Sequence, residues 1–184
     1  MKLLRAQDYK IVPWKNGGGR TAEIAVFPPN ATMEEFDWRL SMADVASDGP
    51  FSVFPDIDRT LTLLEGEGMA LEIEGRDSVV LDPASAPLAF PGDVPVMARL
   101  VGGPIRDLNV MSRRGRYTHR VERLEVDGSR TLEVTAELAV LFCVEGNGLV
   151  GGEAMGRHDA LLTGAGPLVI SGAGRFCLVL LQNG

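Results

Sequence analysis

The sequence predicts an all-β chain built from two related barrels, and three observations carry that expectation. Apolar residues alternate with a period of two, as in MALEIEG, where Met69, Leu71 and Ile73 share one strand face and Ala70, Glu72 and Glu74 the other. Turn formers are dense, with 22 glycines and 11 prolines among 184 residues, and the best helix candidate, TMEEFDW, is too short to count. The chain also echoes itself. LTLLEGEGMALEIEG (61–75) returns as VLFCVEGNGLVGGEA (140–154), and FPGDVPVMARLVGGPIRDLNVM (90–111) returns as LTGAGPLVISGAGRFCLVLL (162–181). Two echoes in the same order are what a duplicated unit leaves behind.

From the N-terminus, MKLLRAQDYK is interrupted by Arg5 and Asp8 and lacks the apolar core of a signal peptide. No apolar run approaches the roughly 20 residues of a membrane span; the expected compartment is the cytoplasm, with no membrane partner. PWKNGGGR (13–20) follows. Asn16-Gly17 is a hairpin signal, but Gly18 and Gly19 exceed what a turn needs. Consecutive glycines can aim N–H groups at one point and let a ligand approach bare backbone, with Lys15 adding charge and Asn16 a donor and an acceptor.

TAEIAV reads as a strand with Thr21, Glu23 and Ala25 on one face. FDWRLSM reads as another, with Asp37, Arg39 and Ser41 opposite Phe36, Trp38, Leu40 and Met42. DGPFSVFPDIDR (48–59) reads as a loop, since Asp48-Gly49-Pro50 signals a turn and Pro55 bars regular pairing. Phe51 and Phe54 either roof a barrel mouth or plug the end of the core. Arg59 either pairs with a pocket acid or anchors the loop through Asp56 or Asp58. Trp14 and Trp38 are read as packing residues.

The Glu-Gly-x-Gly pieces within 61–75 and 140–154 read as hairpin turns. Aligning Arg106 with Arg175 sets Asp107 and Asn109 of the front half against Phe176 and Leu178 of the rear. A strand apolar on both faces is buried on both, so the rear barrel is expected to be filled by its own side chains. The front keeps polar residues on several strands, and burying them in an empty core is costly. Any site therefore belongs to the front barrel. The polar stretch SRRGRYTHRVERLEVDGSR marks the boundary: residues 1–115 form the N-terminal barrel with the candidate pocket and 116–184 a structural C-terminal barrel, with exchange of strands between them left open. Cys143 and Cys177, in apolar runs, read as reduced core thiols.

A net charge of −7 argues against nucleic acid. Arg113, Arg114 and Arg116 are a short cluster that reads as a solvated turn. The two histidines, His119 and His158, form no His-x-His pair, so neither a metal nor another cofactor is expected. Arg39 is the first candidate for a carboxylate clamp, because a guanidinium fork pairs both oxygens of an acid. A structural pair with Glu23 or Asp107 explains it equally well.

YKIVPWKNGGGRTAEIAVFP, FDWRLSMADVASDGPFSVFPDIDRTLTLLEGEGMALEI and FPGDVPVMARLVGGPIRDLNVMSRRG resemble the HutD/Ves family of bacterial proteins, over nearly all of the first 116 residues. The resemblance implies a bicupin, two cupin-type barrels in one chain. It implies a link with histidine catabolism, in which HutD-type members bind a small intermediate such as formylglutamate or urocanate and restrain the pathway; Ves-type members are associated with stress and cold. The expectation is a non-catalytic binder of a small carboxylate metabolite, through Lys15, Asn16, Gly17, Gly18, Gly19, Thr21, Glu23, Arg39, Ser41, Phe51, Arg59, Asp107 and Asn109. Two rivals remain open. One is a metal-free isomerase, hydrolase or lyase using Glu23, Asp107 and Lys15 as acids or bases. The other is an interaction unit, with barrel edges paired in a homodimer.

Overall fold

A computed structural model describes residues 1–184. The chain is all-β: sixteen strands and one short 3-10 turn, Ala6–Asp8. No helix is long and apolar enough to cross a membrane. In chain order the strands are β1 (Lys2–Leu4), β2 (Lys10–Pro13), β3 (Gly19–Phe27), β4 (Trp38–Val45), β5 (Gly49–Pro50) and β6 (Ile57–Glu65). Then come β7 (Gly68–Ile73), β8 (Val79–Leu81), β9 (Leu88–Pro91), β10 (Val96–Val101) and β11 (Ile105–Arg113). The last five are β12 (Tyr117–Val134), β13 (Leu138–Val150), β14 (Glu153–Met155), β15 (Ala160–Thr163) and β16 (Gly166–Asn183). They form two compact units, one of residues 10–116 and one of residues 1–9 with 117–184.

The front unit, 10–116, has two antiparallel sheets, ordered β2-β3-β4-β11-β6-β9 and β5-β10-β7-β8. Period-two alternation decides which residues meet between them. Met69, Leu71, Ile73, Val96 and Ala98 of the smaller sheet join Ala43, Val45, Leu61, Leu63, Phe90 and Ile105 of the larger in one apolar cluster. β4, β6 and β11 are buried on both faces, which is why both residue sets of FDWRLSM are largely withdrawn from water.

In the rear unit β1 pairs with β15, Lys2 to Leu4 against Leu162 to Ala160, completing the path β1-β15-β13-β16-β12. The first nine residues are held there by polar contacts as well. Asp159 accepts the Ala6 N–H and Arg5 Nη1, each at 2.9 Å, and the Tyr9 hydroxyl donates to His158 O at 2.7 Å. The core is a single apolar cluster containing Leu141, Cys143, Ile170, Phe176 and Leu178. Phe176 and Leu178, the positions matched with Asp107 and Asn109 when Arg175 is aligned with Arg106, belong to this cluster.

Several expectations need correction. The expected hairpin turns are not hairpins. In the front unit Gly66 lies where the chain passes from one sheet to the other, β6 to β7, strands that do not pair with each other. In the rear unit Glu145–Gly148 lies inside the unbroken β13. There the glycines serve close backbone approach: a Cβ on Gly146 would stand 2.3 Å from Ala173 O, and one on Gly172 2.7 Å from Asn147 O. The polar boundary stretch from Tyr117 onward is one 18-residue strand, its backbone satisfied by antiparallel pairing with β16. Phe36, expected beside Trp38, precedes β4 and packs with Ile57 and Met111. A bulge between Glu23 and Ala25 moves Ala25 opposite Leu40, off the face it was expected to share with Thr21 and Glu23.

One pairing recurs. Glu65 opposes Arg106 across β6 and β11, with Arg106 Nη1 3.1 Å from Glu65 Oε1, and a register shift follows at Arg106/Asp107. Glu145 opposes Arg175 across β13 and β16, is also ion-paired with it, and sits beside the shift at Cys143/Glu145.

Candidate functional site

The inner face of the larger front sheet gathers the chemistry. Cross-strand register sets Glu23 opposite Ser41, Ser41 opposite Asn109, and Asn109 opposite Leu61. One pleat away Arg39 faces Met111, which faces Arg59; one pleat the other way Ala43, Asp107 and Leu63 form a row. Arg39, Ser41, Arg59, Asp107 and Asn109 are all buried, at 8%, 2%, 7%, 1% and 6% exposure. Arg39, Ser41, Asp107 and Asn109 lie at the alternate positions that also carry Ala43 and Ile105 of the apolar cluster, while Thr21 and Glu23 are half-buried. Arg59 is corrected in place, however: it lies in β6 rather than in the 48–59 loop, and Asp58 pairs with Arg114 instead.

Contacts hold the two arginines differently. Arg39 donates through Nε to Glu23 Oε2 at 3.0 Å and through Nη1 to Ser41 Oγ at 3.1 Å. Arg59 donates through Nε to Asn109 Oδ1 at 2.8 Å, and its Cζ lies 4.5 Å from the Phe51 ring centroid and 5.6 Å from that of Phe90. Burial pulls Arg59 down to about 10, with Asp107 opposing the fall and Arg39 adding to it. Asp107 moves the other way. Burial pushes it up to about 7, helped by Asp44 and opposed by Arg59. Its Oδ1 is buried and has no hydrogen-bond partner on the protein, so a water, a ligand or a proton would complete it.

Phe51 covers the Arg59 guanidinium and also packs against the apolar cluster between the sheets. Its N–H donates to Val96 O at 2.9 Å, and the Phe54 N–H donates to Gly92 O at 2.8 Å, so the loop is tied at two points. Outside it, a concavity of about 380 Å³ is lined by Phe51 together with Val53, Ile73, Glu74, Arg76 and Met97. None of Arg39, Asp107 or Asn109 lines that concavity. Phe51 is the residue common to the outer hollow and the buried guanidinium.

The 13–20 loop is placed otherwise. Lys15, Asn16 and Gly17 are exposed. Its first amides are used within the turn, Gly17 N–H to Trp14 O at 3.0 Å and Gly18 N–H to Asn16 Oδ1 at 3.0 Å. Gly17 has φ +71°, the turn's own requirement. A Cβ on Gly19 would fall 2.3 Å from Asp44 O, and one on Gly18 2.5 Å from Ser47 Oγ, so Gly19 is crowded by backbone and Gly18 by a side chain. Thr21 accepts the Trp14 indole N–H at 2.8 Å. Phe90 and Met111 were not foreseen as neighbours of the arginines. The Thr-alternating pattern of RTLTLL, with Arg59, Leu61 and Leu63 on one face, is the signal that points to their side of the sheet.

The donor set does not fit a metal of the kind that cupin barrels hold. Two guanidinium cations stand beside Glu23 and Asp107, and neither His119 nor His158 belongs to the front unit. What the arrangement suits chemically is an anion.

Fold and site together define an all-β protein with a buried, arginine-bearing face under an aromatic lid. The chain belongs to the HutD family, whose model matches residues 6–178. It is 39% identical to an uncharacterised 21.2 kDa protein of Pseudomonas putida from the region 3′ of hutC, over 98% of this chain and 97% of that one. Among solved structures it is similar to HutD from Pseudomonas fluorescens SBW25, determined in a formate condition, at 41% identity and TM-score 0.86 over 100% and 98% of the two chains. It is also similar to a conserved protein of unknown function from Pseudomonas aeruginosa PAO1, at 34% identity and TM-score 0.89 over 98% of each.

Proposed function

We propose that this chain is a bicupin-type binding protein whose front unit captures a small carboxylate metabolite and whose rear unit is structural. The observation that carries the reading is the pair Arg39 and Arg59, two buried guanidiniums on one sheet face. Each has Nη hydrogens beyond its bonds to Glu23, Ser41 and Asn109. In a chain of net charge −7 these cations are the local attraction that lets an acid in. The hutC neighbourhood of the P. putida relative supports a role in histidine utilisation, with formylglutamate or urocanate as ligand and restraint of the pathway as outcome. The recurrent Glu65–Arg106 and Glu145–Arg175 pairs support the duplicated, two-barrel reading. Calorimetric titration of N-formylglutamate and urocanate into the protein and its Arg39→Ala variant tests the site. The parent is expected to bind and the variant to lose at least about tenfold in affinity, a cost in the range for truncating one partner of a buried charge pair. Equal binding by both would overturn the arginine clamp.

A second reading has one observation in its favour: Asp107 titrates near neutrality, where a general acid or base works best. Incubation with the same acids, followed by NMR, separates the two, since turnover favours the enzyme and saturable line broadening without product the binder.

A further inference from the structure

We propose that Asp107 takes up a proton when the acid binds and donates it as a hydrogen bond to the ligand's carboxylate, so that capture consumes one proton from solution. The proposal rests on the carboxylate reading of the same site. It begins with a geometric fact: Asp107 is 1% exposed, and its Oδ1 has no partner on the protein. A buried carboxylate oxygen left bare is costly when ionised, and the cost disappears when the group is neutral and donates.

The charges facing Asp107 point the same way. Arg59 of β6 acts on Asp107 directly; Arg39 of β4, which acts on Arg59, and Glu23 of β3, paired with Arg39 at 3.0 Å, lie further along the same sheet. Asp44, next in sequence to Ala43 of the Asp107 row, carries negative charge held by Arg106 at 2.5 Å and Arg20 at 2.6 Å. The smaller sheet contributes Met69, Leu71, Ile73, Val96 and Ala98 to the apolar cluster between the sheets, and β9 contributes Phe90. With Asp107 ionised, Arg39 and Arg59 are balanced by Glu23 and Asp107, and no net charge remains to attract an anion. With Asp107 neutral the cluster carries one net positive charge, the complement of one carboxylate.

Seating that carboxylate beside Arg59 adds a negative charge near Asp107 and draws off the guanidinium that opposes its protonation. Both changes favour the proton. Asp107 already titrates at about 7 in the free protein, so a further rise falls in an accessible pH range. The proton comes from the solvent or buffer, and no other bond is made or broken. By linkage, affinity is greatest below about pH 7 and falls above it, by up to about tenfold per pH unit, until the bound-state value is passed.

The test is calorimetric titration of N-formylglutamate into the full chain between pH 6 and pH 9, in paired buffers of different ionisation enthalpy. Both carboxyls of the probe stay ionised throughout. The expected result is a Kd that rises at least about tenfold from pH 6.5 to 8.5, with net uptake of more than about half a proton near pH 8. Asp107→Asn keeps a neutral donor. With no titrating group left at that position, its Kd is expected not to change with pH between 6 and 9. Binding by the parent without proton uptake, or with proton release, as an N–H donor meeting an ionised Asp107 would give, overturns the proposal and leaves the carboxylate reading standing. No binding by the parent at any pH overturns both. The parent's proton count decides the matter even where the variant fails to fold.

Discussion

The ring of Phe51 covers the guanidinium of Arg59, 4.5 Å from centroid to Cζ, and the same residue is hydrogen-bonded through its N–H to Val96 on β10. A cation held beneath an aromatic face inside a protein gains on the order of 1 kcal/mol from it. Phe51→Ala removes the lid while leaving the polar cluster intact. Both association and dissociation of a small acid are expected to quicken, by about tenfold in dissociation, as NMR line shapes of the ligand would record. Chemical denaturation should show a stability loss of about 2 kcal/mol, less than for a fully buried Phe.

Arg39 is held as a fork, with Nε on Glu23 and Nη1 on Ser41. Arg39→Lys preserves the charge but cannot reproduce that planar geometry. The expected outcome is a Kd for N-formylglutamate raised by about tenfold with stability changed by less than about 1 kcal/mol, measured by calorimetry and by urea unfolding respectively.

The three glycines at 17–19 should separate cleanly on substitution. Gly19→Ala drives a Cβ toward Asp44 O, backbone that cannot give way, and is expected to cost about 2 kcal/mol or more in urea unfolding. Gly17→Ala meets open space and suffers only its positive φ, about 1 kcal/mol. Neither change should alter ligand affinity in the fraction that folds.

Asp107 also writes a pH dependence into stability without any ligand. Burial lifts it from the ordinary 3.8 to about 7, so between those values the folded chain holds a proton that the unfolded chain has released. Its contribution to stability therefore falls as pH rises from about 4 to about 7 and is level above. Asp107→Asn should remove that slope. Relative to the parent, the variant is expected to gain about 2 kcal/mol or more between pH 4.5 and pH 7.5, checked by denaturant melts at both values.

Burial pushes the thiols of Cys143 and Cys177 up to about 11. Neither should react with an aromatic disulfide at pH 8 in the native protein, while both react promptly once guanidinium unfolds it.

Alternation makes Arg39 with Ser41, and Asp107 with Asn109, legible as sharing a strand face, because each pair sits at even spacing with apolar neighbours opposite. The front–rear contrast was legible for the same reason, Phe176 and Leu178 standing where Asp107 and Asn109 stand. What misled was glycine. A Gly-x-Gly run looks the same whether it turns the chain, as at Gly17, or lets two strands close on each other, as at Gly146 and Gly172. Local pattern also could not find the bulge at Glu23, which is set by pairing with β4. Nor could it show that Arg59 had left its loop, since β6 is defined by distant partners, Met111 and Phe90 in the case of Arg59.

β1 pairs with a strand, β15, that is made far later. Residues 2–4 have nothing to pair with until residues 160–162 have emerged, whereas residues 10–116 have emerged in full before then. Nascent chains arrested ahead of Ala160 should consequently display the lidded, arginine-bearing half already folded and a leading segment still waiting, open to protease.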